Sequence, residues 1–256
     1  MAGEATGGLT DRAYRRTAYG RYASVHLPGW LEPDARSDAV WARAALYRLR
    51  DWLPADRDAR ILDVGCGAGH LLEALRSAGY QDVRGVDISP EAVAIAQRKG
   101  LSVAEADLRD YLRDVVEGFD LICAFDVIEH FDKDEVLEVL KLLWQHLKPA
   151  GSLMIQTPNA VSPWAAHYRY RDLTHELIFS PECLTSTLKL CGFRDIEVRE
   201  VSPYVHGTKS AVRWGVWKLI WAGCATWNLA ETGSLCGGVY SRNMMVRAVR
   251  GERVRW

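Results

Sequence analysis

The 256-residue sequence lacks the features that mark several broad classes of protein. Its six cysteines show no C-x-x-C spacing, so the pattern favours reduced thiols in a cytoplasmic protein over disulfides or a zinc site. A net charge of -1 at pH 7 excludes a strong overall field for nucleic acid, although a local basic patch is compatible with it. The segment Met1 to Gly8 is small and polar, which indicates no signal peptide.

Long hydrophobic runs are also scarce. The best candidate, Val212 to Ala230, is interrupted by Arg213 and Lys218, and its uncharged part falls short of the roughly 20 residues that a membrane-spanning helix needs. A helix here would place three tryptophans on one face: Trp214, Trp217 and Trp221. Packing against the body or a protein contact, including an oligomer, is the preferred interpretation of the Trp214 to Trp227 stretch, and a helix lying on a membrane is the alternative.

From Arg60 onward, short apolar runs alternate with helical patterns, which is typical of βαβ units and a parallel sheet. The predicted strands are Arg60 to Val64, Val83 to Asp87, Ser102 to Glu105, Phe119 to Phe125, Ser152 to Thr157, Phe193 to Val201 and Arg242 to Val249. The predicted helices are Asp38 to Leu53, His70 to Ala78, Pro90 to Lys99, Leu108 to Val116, Lys133 to Leu147 and Pro181 to Cys191. Pro149 to Gly151 is predicted as a turn, and Ala160 to Phe179 as a long loop.

These patterns predict one α/β domain with two appendages. Residues 1–56 would form an N-terminal helical cap that contains an Arg/Tyr-rich segment from Thr10 to Trp30. Residues 57–202 and 239–250 would form the core, and residues 203–238 a Trp-rich helical insertion. The Arg/Tyr-rich segment could cover a ligand site or form a solvated helix, and both interpretations stay open.

The most informative stretch is the run from Ile61 to His70. Its apolar residues indicate a buried strand, and Gly65, Gly67 and Gly69 permit positive φ and close approach of a ligand to the backbone. The first N–H groups of the following helix favour an anionic group. Asp87, at the end of the next predicted strand, lies at the spacing at which a carboxylate meets ribose hydroxyls, but the turn lacks the G-x-G-x-x-G spacing of dinucleotide sites.

Five ordered motifs carry a family resemblance: Leu62-Asp63-Val64-Gly65-Cys66-Gly67-Ala68-Gly69, Gly85-Val86-Asp87-Ile88-Ser89, Ala106-Asp107-Leu108, Phe119-Asp120-Leu121-Ile122 and Leu147-Lys148-Pro149-Ala150-Gly151. Together they resemble the class I S-adenosylmethionine-dependent methyltransferases. The resemblance implies a Rossmann-like seven-stranded sheet of order 3-2-1-4-5-7-6 with the last strand antiparallel and helices on both faces. It also implies S-adenosyl-L-methionine as cofactor.

By the same resemblance, the glycine turn would hold the methionine end of the cofactor, Asp87 the ribose and Asp107 the adenine amine. The full set of cofactor-binding positions that it implies is Asp63, Gly65, Gly67, Gly69, Asp87, Ile88, Asp107, Leu108 and Asp126.

The run Asp126-Val127-Ile128-Glu129-His130 follows the fourth strand, at the edge where open α/β sheets bind ligands. Transfer of a methyl group to oxygen requires that the acceptor hydroxyl lose its proton, so a histidine is a suitable general base. His130 is the first candidate and His175 the second, with Glu129 as a catalytic partner, although Glu129 and His130 could instead only orient the loop.

Asp126, Glu129, His130 and His175 also resemble the divalent-metal site of small-RNA 3′-terminal ribose methyltransferases, and partly that of ubiquinone-pathway O-methyltransferases. Asp126 departs from that pattern, which has glutamate at this position. A divalent metal is therefore possible but not the favoured prediction.

The loop from Trp164 to Glu176 resembles methyltransferases of polysaccharide and glycan pathways, which implies a sugar hydroxyl as acceptor. An RNA ribose or quinone-type O-methyltransferase is the alternative, and a catalytically silent scaffold with this fold is a third possibility. The candidate substrate-contacting residues are Trp164, Tyr168, Arg169, Arg171 and Asp172.

Overall fold

A computed structural model describes residues 13–26, 29, 34–234 and 238–252. Residues 1–12 of the predicted cap and residues 235–237 of the predicted insertion lie outside the described residues, and they include Arg12 and Cys236. The helices are α1 (Ala13–Gly20), α2 (Tyr22–His26), α3 (Ala35–Leu49), α4 (His70–Ser77), α5 (Pro90–Arg98), α6 (Leu108–Arg113), α7 (Lys133–His146), α8 (Ala165–Tyr170), α9 (Pro181–Leu190) and α10 (Thr208–Thr232). The strands are β1 (Ile61–Val64), β2 (Val83–Asp87), β3 (Val103–Glu105), β4 (Phe119–Phe125), β5 (Leu147–Pro158), β6 (Phe193–Glu200) and β7 (Asn243–Arg250).

The seven strands form one sheet in the order β3-β2-β1-β4-β5-β7-β6, which confirms the predicted topology. The first five strands run parallel, and β7 pairs antiparallel with both β5 and β6. All four residues of β1 are buried because helices cover both faces of the sheet. Leu62 and Val64 join a core with α6, α7 and α9, whereas Ile61 joins a second core with α3 and α4.

Element boundaries differ most from the sequence prediction at α3 and β5. Helix α3 begins after the N-cap Asp34 and ends at Leu49, so both predicted ends were wrong; the Asp34 side chain accepts a hydrogen bond from the Arg36 N–H. The predicted turn from Pro149 to Gly151 lies inside β5. Ala150 has a φ of 62°, and the β4–β5 register shifts between Phe119 and Leu121, so the turn residues form an irregularity within the strand.

The predicted loop from Ala160 to Phe179 contains the six-residue helix α8. Such a short helix with no buried residue leaves no apolar period in the sequence, which is why the pattern indicated only a loop. The long helix α10 occupies the predicted insertion between β6 and β7. Among the helices of the described chain, none has the length and apolar composition needed to cross a membrane.

Candidate active site

A cavity of about 660 Å³ opens at the carboxyl ends of the parallel strands. This volume lies within the range of small-molecule sites, and the position is where open α/β sheets bind ligands. The cavity reaches from the glycine turn after β1 to the segment after β4. Its lining includes these predicted residues: Asp63, Gly65, Asp87, Ile88, Leu108, Asp126, Glu129, His130, Tyr168, Arg171, Asp172 and His175.

The glycine turn approaches the cavity with its backbone. Gly65, Gly67 and Gly69 all have positive φ, at 63°, 53° and 82°. A Cβ on Gly65 would lie 2.5 Å from the Val127 side chain, so this position also needs glycine for space. Helix α4 begins after Gly69 without a side-chain cap, and its first residues His70 and Leu71 line the cavity. The helix start therefore offers N–H donors suited to a carboxylate.

Two acidic residues, Asp63 and Asp87, line the cavity near this turn. The Asp87 carboxylate accepts hydrogen bonds from the Gly67 N–H at 2.8 Å and the Ser89 N–H at 2.8 Å, so it braces the turn as well as lining the cavity. Burial raises the pKa of Asp87, and it raises that of Asp63 well above the usual range. Gly67, Gly69 and Asp107 are not among the cavity-lining residues. Asp107 instead caps α6 by accepting from the Arg109 N–H at 2.9 Å.

The segment that follows β4 forms another side of the cavity. Asp126 has a φ of 56°, which is rare for a residue with a side chain and typical of functional sites. Its carboxylate oxygens accept from Gln156 Nε2 at 2.8 Å and Asn243 Nδ2 at 3.2 Å. A single 3-10 turn, Ile128–His130, then brings Glu129 and His130 into the buried end of the cavity.

His130 takes part in a chain of hydrogen bonds that fixes its tautomer. The Thr174 hydroxyl lies 2.6 Å from Asp172 Oδ1 and 2.9 Å from His130 Nδ1. Burial alone would raise the pKa of Asp172, but hydrogen bonds from Thr174 and Tyr22 lower it to about 2, so this carboxylate only accepts. Thr174 must therefore donate to Asp172 and accept from His130 Nδ1–H. The lone pair of His130 then resides on Nε2.

His175 and Glu129 lie beside this histidine. The rings of His130 and His175 are 4.8 Å apart, and His175 Nδ1 contacts the Tyr168 carbonyl at 2.8 Å, so it donates there. Burial lowers the pKa of His175, and burial together with His175 lowers that of His130 to about 4. One imidazole nitrogen of each histidine and a Glu129 carboxylate oxygen all lie within 4.8 Å of one another. Glu129 Oε1 is buried and has no hydrogen-bond partner among the described residues, so these three residues could also hold a divalent cation.

Helices α1 and α2 lie over this part of the cavity. Arg15 is fully buried; it contacts both carboxylate oxygens of Glu135 at 2.8 and 2.9 Å and donates to the His130 carbonyl at 2.9 Å. The Tyr22 hydroxyl donates to Asp172 Oδ2 at 2.8 Å, and Tyr19 and Tyr22 both present their rings to His130. Of the two interpretations of the Arg/Tyr-rich segment, the structure therefore supports the covering role.

The candidate substrate residues divide into two groups. Tyr168, Arg171 and Asp172 line the cavity, whereas Trp164 and Arg169 do not. Arg169 donates to the carbonyls of His175 and Glu176 and so braces the loop. Trp164 is 56% exposed and lies under the Arg242 guanidinium.

The fold and the arrangement of the cavity define a Rossmann-like methyltransferase. A family model described as a methyltransferase domain matches residues 39–198, and the chain belongs to this family. A solved SAM-dependent methyltransferase from Archaeoglobus fulgidus shares the fold, with a TM-score of 0.60 and 24% identity over 81% of this chain and 94% of that one.

Curated relatives share sequence over the same region. Proteins named ubiquinone biosynthesis O-methyltransferase are 32% identical over 158 residues in Xylella fastidiosa and 34% identical over 167 residues in Xanthomonas campestris pv. campestris. These matches cover 58% and 59% of this chain, and 62% and 64% of the relatives. The chain thus spans less than two thirds of their length. Their name corresponds to the quinone-type alternative and not to the preferred sugar acceptor.

Sequence reasoning did not identify several residues of the site. Thr174 gave no signal because a single threonine in an irregular segment has no pattern of its own. Gln156 and Asn243 lie on β5 and the start of β7, and only the pairing of these strands brings both to Asp126. Tyr19 and Tyr22 were part of a recognised Arg/Tyr-rich segment, but their contact with His130 depends on the docking of α1 and α2.

Proposed function

We propose that this protein is an S-adenosylmethionine-dependent O-methyltransferase whose acceptor is a phenolic hydroxyl of a quinone-type precursor. The observation that supports it most directly is that a histidine of fixed tautomer lies in the same cavity as the glycine turn. Membership of the methyltransferase-domain family and the names of the curated relatives support the reaction class. The acceptor class rests on those names and on the cavity lining.

The residues on the β1–β2 side fit the proposed cofactor. The uncapped start of α4 offers N–H donors to the cofactor carboxylate, and the Asp87 carboxylate suits ribose hydroxyls. Ile88, Ala106 and Leu108 supply an apolar wall for a purine ring. Bound S-adenosylmethionine would supply an electrophilic methyl group on its sulfonium.

The chain's own contribution to chemistry is to remove the acceptor proton and to exclude water. With Nδ1–H held by Thr174, His130 presents the Nε2 lone pair and accepts the proton as the hydroxyl oxygen attacks. His130 is 8% exposed, and α1 and α2 cover it, so the oxygen is shielded from solvent. After methyl transfer, His130 Nε2 releases this proton to water when the product leaves.

An aromatic acceptor suits this cavity better than a sugar. Tyr19, Tyr22, Phe131 and Tyr168 line it, and flat aromatic walls favour a planar ring through stacking and edge contacts. A sugar needs several polar partners for its hydroxyls, and the Asp172 carboxylate is already engaged by the hydroxyls of Thr174 and Tyr22. An RNA acceptor would show a steep dependence of binding on salt, which a net charge of -1 does not favour.

The test is incubation with methyl-labelled cofactor and a panel of catechol-type phenols, glycans and RNA, followed by location of the methylated atom. We expect methylation of a phenolic oxygen. Methylation of a sugar or ribose hydroxyl instead would overturn the acceptor class while leaving the cofactor assignment in place.

The base is tested separately by His130→Ala. It should lower kcat by about 10²- to 10⁴-fold while cofactor binding, measured by calorimetry, stays within a few-fold. His206→Ala is the matched control, because His206 is exposed and does not line the cavity. Equal activity of the two variants would refute the role of His130.

A further inference from the structure

We propose that α10 is a membrane-docking helix that lies in the surface of a bilayer rich in anionic lipid. This inference goes beyond the proposed reaction and stands on the helix itself. Of its 25 residues, only Ser210 and Ala225 are buried. At about 1.5 Å per residue the helix is about 37 Å long, so it offers an extended surface.

The side of α10 that packs on the body carries the predicted tryptophan face. Trp221 Nε1 donates to the Gly238 carbonyl at 2.7 Å, and its ring meets Tyr240 at 5.9 Å. Trp217 and Trp221 are half-buried, while Trp214 at one edge is 42% exposed. The tryptophans therefore attach the helix to the body, and a different face is left to the exterior.

With about 3.6 residues per turn, the opposite side of the helix presents Val212, Val216 and Leu219, followed by Gly223 and Ala230. We call these five residues the outer face. The three large side chains are 68%, 51% and 75% exposed. No charged residue falls within the outer face, which is unusual for a helix surface turned away from the core.

The charges that border the outer face identify its occupant. Lys209 and Arg213 lie along one edge of the outer face, Lys218 lies farther round the helix beside the tryptophans, and the only acidic residue of α10 is Glu231 near its end. An apolar strip bordered by cations, on a helix with three basic residues and one acidic residue, matches the boundary between acyl chains and anionic headgroups. Lys218 lies 5.6 and 5.7 Å from the rings of Trp214 and Trp221, and tryptophan is favoured at that same boundary.

Docking by α10 would bring the cavity entrance close to the bilayer. Tyr240 contacts Trp221, and Arg242 lies two residues further along the chain. The Arg242 guanidinium lies 5.3 Å from the Trp164 ring and 5.7 Å from the Tyr168 ring. Tyr168 lines the cavity, as does Asn243. A lipid-anchored acceptor would thus enter near the membrane surface, a consequence that rests on the proposed function.

The test is cosedimentation of the full chain with vesicles of phosphatidylcholine alone and with phosphatidylglycerol added. We expect binding to the phosphatidylglycerol vesicles that weakens with salt. Leu219→Glu should reduce that binding about tenfold or more, because it places a charge in the apolar strip. Leu190→Glu is the matched control: Leu190 is 69% exposed but lies on α9, so binding should be unchanged.

Two results would overturn the proposal. One is equal binding of the parent and Leu219→Glu to both vesicle types. The other is a dimer in sedimentation velocity without lipid that Leu219→Glu converts to a monomer, because a second copy would then cover the outer face. Circular dichroism of each variant confirms that it is folded. The assay requires no turnover, so a negative result leaves the methyl-transfer proposal standing.

Discussion

The Thr174 hydroxyl connects the ionised Asp172 carboxylate to the His130 imidazole at the centre of the site. Asp172 is held ionised by its hydrogen bonds, which forces the Thr174 hydroxyl to donate to it and leaves the hydroxyl oxygen as the acceptor for His130. A neutral imidazole has one donor and one acceptor nitrogen, so fixing Nδ1 as donor fixes Nε2 as base. In the proposed reaction, Thr174 therefore sets which nitrogen of His130 can act as the base, although Thr174 is not among the cavity-lining residues.

We predict that Thr174→Val lowers kcat by about tenfold to a hundredfold, because the imidazole loses the partner that sets its tautomer. The cofactor dissociation constant should change little, since the glycine turn is untouched. Steady-state kinetics and calorimetry measure the two quantities. Thr174→Ser retains the hydroxyl and should recover most of the activity. A serine variant as slow as the valine variant would show that the effect is one of packing.

The cluster of Glu129, His130 and His175 raises the question of a metal. Asp126 is held by Gln156 and Asn243, and it is not part of this cluster, which leaves two imidazoles and one carboxylate. Mg²⁺ prefers oxygen ligands and keeps several waters, yet Glu129 and His130 are both buried. We predict that methyl transfer survives exhaustive chelation. Loss of activity that Mg²⁺ or Mn²⁺ restores, with metal found by elemental analysis, would assign the cluster to a cation.

At the scale of elements, a buried ion pair helps to hold the cover over the site. Arg15 joins α1 to Glu135, which is also the third residue of α7 and completes its capping box with Asp132. The same guanidinium donates a hydrogen bond to the His130 carbonyl. Helix α1 is thus attached both to a core helix and to the segment that carries the base.

We predict that Arg15→Met lowers the free energy of unfolding by about 3 kcal/mol, because Glu135 loses the closer of its two arginine partners at a site that is mostly removed from solvent. Urea denaturation measures the change, and limited proteolysis should show faster cleavage in α1. Arg21→Met is the control: Arg21 is exposed, so its loss should cost no more than about 0.5 kcal/mol. Similar stability of the two variants would contradict a structural role for the pair.

The sequence predicted the sheet well because each parallel strand is a short apolar run bounded by turn residues, a local pattern. It failed at α8 and at Pro149 to Gly151, where tertiary contacts decide the backbone. Glu129, His130 and His175 were expected in one site, and all three line the cavity. The hydrogen bonds from Tyr22 to Asp172 and between Thr174 and His130 join distant segments, so no local pattern could predict them.

At the scale of the whole molecule, the cavity joins elements from α1 to β7, because its lining includes Tyr19, Asp87, His130 and Asn243. A ligand that contacts all of them binds the folded state and not the unfolded chain, so it must stabilise the fold. We predict that S-adenosylhomocysteine at one hundred times its dissociation constant adds about 2.7 kcal/mol. For a domain of this size that corresponds to an increase in Tm of about 5 to 10 °C.

This shift distinguishes an enzyme from a catalytically silent scaffold with the same fold, and differential scanning fluorimetry measures it. Asp87→Asn should reduce the shift, because an amide cannot accept from both the Gly67 and Ser89 N–H groups and still meet a ribose. Glu105→Gln is the matched control, since Glu105 pairs with Asp87 across β2 and β3 but is exposed and outside the cavity. If the parent protein shows no shift, the cofactor assignment fails, and with it the proposed reaction.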